Sequence, residues 1–393
     1  MAIIFVPGIK GSKLVDTYPT DFKVRWSLED LVVGNIFEDT LDFELKEGLY
    51  DVEDTHLFRE WELINYAYKR IVERLRKWIT PQLYTFPYDW RKPIDFNAKR
   101  LNAFIEHVQG KLKANGKEST LSFFTHSMGG LVLRSALGLR KPKPFEGIGR
   151  IAFIAPPFRG SCGIPKVLIA GERNGWFSDE EDFRKLARSF PSVYQMIPWF
   201  EKAAVAAKDG RELDLFDIGN WQQNVAQGKN FRKEFLINAE AFLKGSDANQ
   251  GGSSDAPILS DTELRRHADQ IAVILSVGYD TCYQIPVETE NAINRNWFDF
   301  KNQRQDKNGD QRVHLKSAAI QGITLAAYDG AASHGVVCRD SKIIKSVFRW
   351  LEGKKLLKMK ARTPRHSIKR RSKTYFEPWD GKESSLSQHI VKV

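Results

Sequence analysis

An α/β fold with a mostly parallel central sheet and helices on both faces is predicted by three observations. Short apolar runs alternate with amphipathic stretches from Ala2 to Ala155, the order expected when strands are joined by crossover helices. Two of the runs end in glycine-bearing turns, Pro7-Gly8 and Ser127-Met128-Gly129, as strands do when they break sharply into a loop or helix. The alternation lapses after Pro157 and resumes at Ile271–Val277, as expected of a sheet interrupted by an insertion.

Ala2–Val6 reads as a buried strand ending at Pro7-Gly8-Ile9-Lys10-Gly11-Ser12. That loop lacks the G-K-[ST] ending of a nucleotide-binding loop. From about residue 13 to 60 the periodicity is unclear, and Trp26, Leu28, Leu31, Val32 and Phe37 are expected to form a small accessory subdomain. Tyr66–Trp78 is an amphipathic helix, with Tyr68, Ile71, Val72, Leu75 and Trp78 at steps of three and four. Leu83–Phe86 is a strand closed by Pro87-Tyr88-Asp89-Trp90-Arg91, and a helix over Phe96–Ala114 stops at Asn115-Gly116. Leu121 begins a strand that turns into a helix at Ser127, and Arg150–Ala155 is the next strand. Pro165–Ser178 is read as a loop, Glu180–Phe200 and Asn230–Leu243 as helices, and Gly245–Asp255 as a flexible loop. Gly309-Asp310 falls in a polar loop, Gly322–Leu325 is read as the last strand, and Ser341–Trp350 as the closing helix.

The 393 residues suit one large domain with insertions or two ordinary ones, and an apolar content of 42% supplies a substantial core. No uncharged apolar run reaches the length of about 18 residues that a membrane-spanning helix needs. No secretory signal is read at the N-terminus. Cys162, Cys282 and Cys338 lie far apart in sequence and form neither a disulfide framework nor a metal-ligand spacing. A reducing, cytoplasmic setting is therefore expected, with no metal and no cofactor. The net charge of +11 comes almost wholly from Gly353–Thr374, where Lys354, Lys355, Lys358, Lys369, Arg370 and Arg371 are among ten basic residues without an acid. Such a run attracts polyanions, and an anionic membrane surface is favoured over nucleic acid. The plain alternative is a solvated C-terminal extension.

The chemistry points to Ser127. A strand that breaks straight into a helix holds the residue at the break in a strained, exposed conformation, as in the G-x-S-x-G elbow. Gly129 fills the second glycine position and Thr125 stands at the first. A serine hydroxyl needs a base within hydrogen-bond reach, and the base needs an acid to fix its tautomer. Downstream, His334 lies among small residues just before the closing helix, whereas His267, His314, His366 and His389 lie in charged or tail segments. Asp310 precedes His334 in a polar loop, with Asp306 and Asp280 as rivals. The developing oxyanion needs donors, and the N–H of Met128 and that of Ile9 or Lys10 are the candidates.

FVPGIKGSKL (5–14), Trp26, FPYDWRK (86–92), THSMGGLV (125–132), IAPPFRGS (154–161), RSFPSVYQMIP (188–198), NGDQRV (308–313) and SHGVV (333–337) occur in an order that resembles the lecithin:cholesterol acyltransferase and lysosomal phospholipase A2-like family of α/β-hydrolases. The pair PYDWR and HSMGG carries most of the specificity. The resemblance implies an α/β-hydrolase fold with an inserted cap and lid. Within it, Ser127 would be the nucleophile, Asp310 the acid and His334 the base, and Ile9 and Met128 would form the oxyanion hole. It implies a lid at Pro165–Ser178 over an acyl groove, with Lys10, Trp90, Val167, Leu168, Trp176 and Phe177 on the substrate. The family carries G-D-G-T-V-P around its acid, where this chain has Gly309-Asp310-Gln311-Arg312-Val313-His314.

The domain expected is an α/β-hydrolase over 1–352. Its insertions fall at about 13–65 (accessory and membrane-facing) and about 162–268 (lid and cap), and a basic extension covers 353–393. The function expected is a serine-dependent lipid ester hydrolase, foremost a phospholipase A working through an acyl-enzyme and able in principle to transfer the acyl group. The alternatives are a non-lipid carboxylesterase on the same scaffold and an inactive hydrolase fold used for binding. A cytoplasmic, peripherally membrane-associated enzyme of this kind would need restraint, by a closed lid, a regulatory protein partner or assembly.

Overall fold

The structure, a computed structural model, describes residues 2–16, 23–26, 45, 51–52, 55–56, 58–78, 82–171, 180–228, 230–245, 258–358 and 374–392. Its centre is a sheet of seven strands: β1 (Ala2–Val6), β2 (Leu83–Thr85), β3 (Leu121–His126), β4 (Ile148–Ile154), β5 (Ile271–Val277), β6 (Thr324–Asp329) and β7 (Ile390–Lys392). Every pairing in it is parallel, in the order β7-β6-β5-β4-β3-β1-β2. The inner strands are continuous apolar runs because helices cover both faces and leave no side for water. The fold is that of the α/β-hydrolases.

The strand order reverses at β1: the chain leaves it for β2 on one side and then crosses to β3 on the other. The loops leaving the carboxyl ends of β1 and β3 therefore part across one crevice, where open α/β sheets bind their ligands. Register fixes the depth of that crevice. Val6 is paired with Thr125, and the rings of Phe5 and Phe124, also register partners, stack at 4.3 Å.

Helices α1 (Asn65–Trp78), α2 (Ile94–Ala114) and α3 (Met128–Leu139) pack on the sheet. The buried side of α2 follows the helical repeat, with Ala98, Leu101, Ile105, Val108 and Leu112 on one face. All but the last residue of α3 are buried, which its run of glycine, alanine and leucine permits. Among the described residues, no helix is long and apolar enough to cross a membrane.

Four expectations are corrected. A helix, α4 (Gly163–Ala170), occupies the start of the segment read as a loop. Pro165 lies in its first turn, where a missing N–H breaks no helical bond, and so does not act as a breaker. The rest of that loop, including Trp176 and Phe177, lies outside the described residues. The helix expected over Glu180–Phe200 ends early as α5 (Glu180–Ser189), because Phe190 precedes Pro191 and is held extended. The polar loop around Gly309 is instead the end of an antiparallel ribbon, in which Arg304–Gly309 pairs with the long strand Tyr279–Asn291. Its outer strand reads Arg-Gln-Asp-Lys-Asn-Gly and is mostly solvated, so it carries no apolar alternation to betray it.

The fourth correction concerns the boundary at 353. Residues 374–392 fold back onto the hydrolase sheet: β7 pairs with β6, and Phe376 and Leu386 are buried. This leg is held by apolar anchors, and β6 is not the last strand. Lys369, Arg370 and Arg371 lie outside the described residues, as do Leu28, Leu31, Val32, Phe37 and most of the loop read at 245–255. The described part of the accessory segment is an antiparallel sheet of Ser12–Asp16 with Lys23–Trp26 and Phe58–Leu63. Lys233–Lys244 supplies the helix read at Asn230–Leu243, and Ser341–Leu351 the closing one.

Phe376 packs edge-on against Tyr328 of β6 at 5.5 Å. Phe376→Ala is expected to lower unfolding stability by about 3–5 kcal/mol, the usual cost of emptying a buried phenylalanine site. Urea titration checks this, and an unchanged midpoint would show the leg to be dispensable.

Candidate active site

Ser127 sits between the last residue of β3 and the first of α3 with φ 52° and ψ −128°. For a residue with a Cβ this left-handed backbone costs on the order of 1–3 kcal/mol, and surrounding packing must hold it. Two bonds do so: the Ser127 N–H donates to the Ile154 carbonyl at 2.9 Å, and the Ser127 carbonyl accepts from the Gly130 N–H at 2.8 Å. Gly129 is obligatory for space, since a Cβ there would lie 2.3 Å from the Pro7 carbonyl oxygen. Gly8 faces the serine from the other side, and a Cβ on it would come within 2.9 Å of the Ser127 Cβ.

The Ser127 hydroxyl lies 2.9 Å from Nε2 of His334, and Nδ1 of His334 lies 2.7 Å from Oδ2 of Asp310. Asp310 is fully buried, and its other oxygen accepts from the N–H groups of Arg312 (3.1 Å) and Val313 (2.8 Å). The loops of His334 and Asp310 are further tied by the His334 N–H, which donates to the Asp310 carbonyl at 3.0 Å. With Oδ1 taken by two amides, Oδ2 is left to accept the imidazole proton at Nδ1, and Nε2 is then the acceptor facing Ser127.

The rival groups are engaged elsewhere. Asp306 accepts from Nε2–H of His314 at 2.9 Å, and Asp280 pairs with Lys307 at 2.7 Å. His267 stacks on Phe145 at 3.9 Å, His389 donates to the Leu325 carbonyl, and His366 lies outside the described residues.

Ile9 lies in the loop after β1 and borders the same space as Ser127. Met128 opens α3, so its N–H belongs to the first turn, where the helix offers no carbonyl partner. The loop is shaped by Tyr88, whose hydroxyl donates to the Pro7 carbonyl at 2.9 Å, and by Trp90, whose indole N–H donates to the Ser12 carbonyl at 3.2 Å. Between them, Asp89 and Arg91 form a buried ion pair at 2.8 Å. Burial pushes the Asp89 carboxyl up, but the Arg91 charge and its hydrogen bonds outweigh this and hold it below the usual carboxylate range.

In front of Ser127 and His334 opens a cavity of about 360 Å³. Ile164 and Val167 of α4, Phe183 of α5, Phe190, Val193 and Met196 make its wall apolar. Of the residues expected on the substrate, Lys10, Trp90 and Val167 line it. Leu168 does not: one step further round α4 than Val167, it is fully buried in the core. Lys10 places its ammonium 4.2 Å from the centre of the Phe183 ring, linking the β1 loop to the cap.

Two features carried no sequence signal. The first is a chain behind the serine: the Gly8 N–H donates to the Tyr68 hydroxyl (3.0 Å), which is hydrogen-bonded to Nδ1 of His126 (2.8 Å). Burial, then the charge of His334, hold the His126 imidazole well below its usual pKa, so it is neutral. The second is that Cys162 and Cys282, far apart in sequence, are brought near each other, with the Cys282 thiol donating to the Gln284 carbonyl at 3.7 Å.

Residues 55–243 match the family model described as lecithin:cholesterol acyltransferase. The chain is similar to lecithin-cholesterol acyltransferase-like 4 of Arabidopsis thaliana, with 28% identity over 412 aligned residues, covering 89% of this chain and 75% of that protein. It is also similar to an uncharacterized protein of Saccharomyces cerevisiae, 29% identical over 142 residues, which cover 34% of this chain and 20% of that one. Among solved structures, a chain of the Tle4-Tli4 complex has the same fold at a TM-score of 0.56 and 12% identity, with 90% of this chain and 97% of that chain covered.

A carboxylate with a depressed pKa stabilises the fold above its unfolded-state value near pH 4, and that stability is lost as pH falls through the folded value. Asp89→Asn leaves Arg91 buried without its counter-charge and is expected to cost about 3–5 kcal/mol at pH 7. It should also flatten the loss of stability below pH 4. Urea unfolding at pH 7 and at pH 3 measures both effects, and equal pH slopes in the two proteins would count against the pair.

Proposed function

We propose, since this chain belongs to the lecithin:cholesterol acyltransferase-like family of α/β-hydrolases, that it is an acyl-ester hydrolase or acyltransferase whose nucleophile is Ser127 and whose substrate is a phospholipid cleaved as by a phospholipase A. The observation that carries this reading is the hydrogen-bonded line Ser127–His334–Asp310, opening onto the apolar cavity. His334 takes the serine proton at Nε2 as Oγ attacks the ester carbonyl, and the buried Asp310 carboxylate stabilises the imidazolium. The N–H groups of Ile9 and Met128 receive the oxyanion. Collapse returns the proton to the leaving lysolipid alkoxide and leaves an acyl group on Ser127, which water, or a lipid alcohol, then removes.

The cavity favours a long acyl chain over a small soluble ester: its walls are mostly apolar and Ser127 is among the residues that line it. The hydrogen-bonded line favours an active enzyme over a binding module. The exposed Lys354 and Lys355 and the half-buried Lys358 extend from the end of the closing helix and would meet an anionic surface.

Ser127→Ala is expected to lower release of fatty acid from phospholipid by at least about 10⁴-fold, and Asp310→Asn by about 10⁴-fold, without loss of folding. A fluorophosphonate probe should label Ser127 alone in the wild type. Labelling elsewhere, or unchanged release in Ser127→Ala, would overturn the assignment.

A further inference from the structure

Tyr68, in the first turn of α1, is buried, and its ring packs edge-on against Phe5 of β1 at 4.9 Å. Its place in the amphipathic repeat accounts for the ring but not for the hydroxyl. That oxygen makes two buried hydrogen bonds, one from the Gly8 N–H at 3.0 Å and one with Nδ1 of His126 at 2.8 Å. Gly8 immediately precedes Ile9, and His126 immediately precedes Ser127. A single oxygen therefore spans the loop after β1 and the end of β3.

The loop is wrapped around this oxygen. The Gly11 N–H donates to the Gly8 carbonyl at 3.0 Å, which closes a four-residue turn with Ile9 and Lys10 at its corners. A Cβ on Gly11 would come within 2.9 Å of the Tyr68 hydroxyl, so both ends of the turn rest on it. Both corner residues border the cavity in front of Ser127. Helix α1 is itself tied to the turn: the Ile64 N–H, just before the helix, donates to the Gly11 carbonyl at 3.0 Å, and the Tyr68 N–H donates to the Ile64 carbonyl at 3.2 Å. Burial, and to a lesser degree the nearby Cys338 thiol, push the phenol well above its usual range, so the hydroxyl stays neutral. Without it, the Gly8 amide and the His126 imidazole would each lose a buried partner. An oxyanion donor is effective only at the right distance, and a misplacement of about 1 Å can cost on the order of 10²-fold in rate.

We propose that the Tyr68 hydroxyl is a positioning group of the oxyanion hole: by holding the residue before Ile9 and the residue before Ser127 on one oxygen, it sets the spacing of the Ile9 and Met128 amides. The inference rests on the reading of Ser127 as the nucleophile and of those two amides as the oxyanion donors.

Tyr68→Phe removes the oxygen and keeps the ring. With active sites counted by fluorophosphonate titration, its kcat on dihexanoyl phosphatidylglycerol should fall by about 10- to 100-fold while KM stays within about twofold. A second readout is a hexyl trifluoromethyl ketone, whose carbonyl carbon takes Oγ of Ser127 while His334 takes the proton and the carbonyl oxygen becomes the oxyanion. Its affinity, measured by protection from the fluorophosphonate, should fall by the same factor, whereas that of the corresponding alcohol should not change. His126→Ala should behave like Tyr68→Phe. In His126→Asn the side-chain amide can give or take a hydrogen bond near the place of Nδ1, so this variant should recover most of the loss, but not when Tyr68→Phe is also present. The His126 pair decides alone should Tyr68→Phe fail to fold. Equal losses in His126→Ala and His126→Asn, unchanged constants in Tyr68→Phe, or a lower kcat with undiminished ketone affinity would overturn the positioning role and leave the hydrolase reading standing. Wild-type protein that takes neither the label nor the ketone would overturn both.

Discussion

The close approach of two backbones at the sheet's switch point governs this molecule. The loop after β1 and the turn after β3 meet so tightly that neither Gly8 nor Gly129 has room for a side chain. That contact places Ile9 beside Ser127, and it requires the left-handed turn that exposes the serine hydroxyl. Seven parallel strands, a stacked Phe5–Phe124 pair and a buried α3 provide the rigidity that holds a strained residue in place. The strain and the site arise from the same arrangement: a relaxed turn at Ser127 would withdraw the hydroxyl from His334.

The polar groups under this contact are almost all paired, and their pairing explains residues remote from the chemistry. Tyr88, Trp90 and Tyr68 each send a hydrogen bond into or receive one from the β1 loop, and the Asp89–Arg91 pair braces the segment that delivers two of them. PYDWR is thus a scaffold motif before it is a substrate motif, with Trp90 alone lining the cavity. The Tyr68–His126 link joins α1 to the residue before Ser127, and the neutral His126 brings no positive charge near His334.

The sheet was legible because its strands are buried on both faces and so read as short apolar runs between amphipathic helices. Ser127 and His334 were legible from the small residues around them. The ribbon from Tyr279 to Gly309 was not, because its outer strand is polar on both sides and is specified by pairing alone. The return of the chain at β7 was hidden for a different reason: three residues of edge strand, held by Phe376 and Leu386, leave little pattern after a long basic run. Proximity of Cys162 to Cys282, and of Asp306 to His314, is tertiary information that spacing does not carry.

The hidden ribbon matters because it leads into Asp310. Asp310 follows its last strand directly, and Gln311, Arg312 and Val313 come next, so one turn both holds the His334 imidazole and, through Arg312 and Val313, lines the apolar cavity. The rest of the apolar wall comes from α4, α5 and the segment after them. Cap and ribbon therefore build one pocket jointly, with Ser127 and His334 bordering the same apolar space, and the turn after the ribbon orients His334 through Asp310 while it closes the pocket wall.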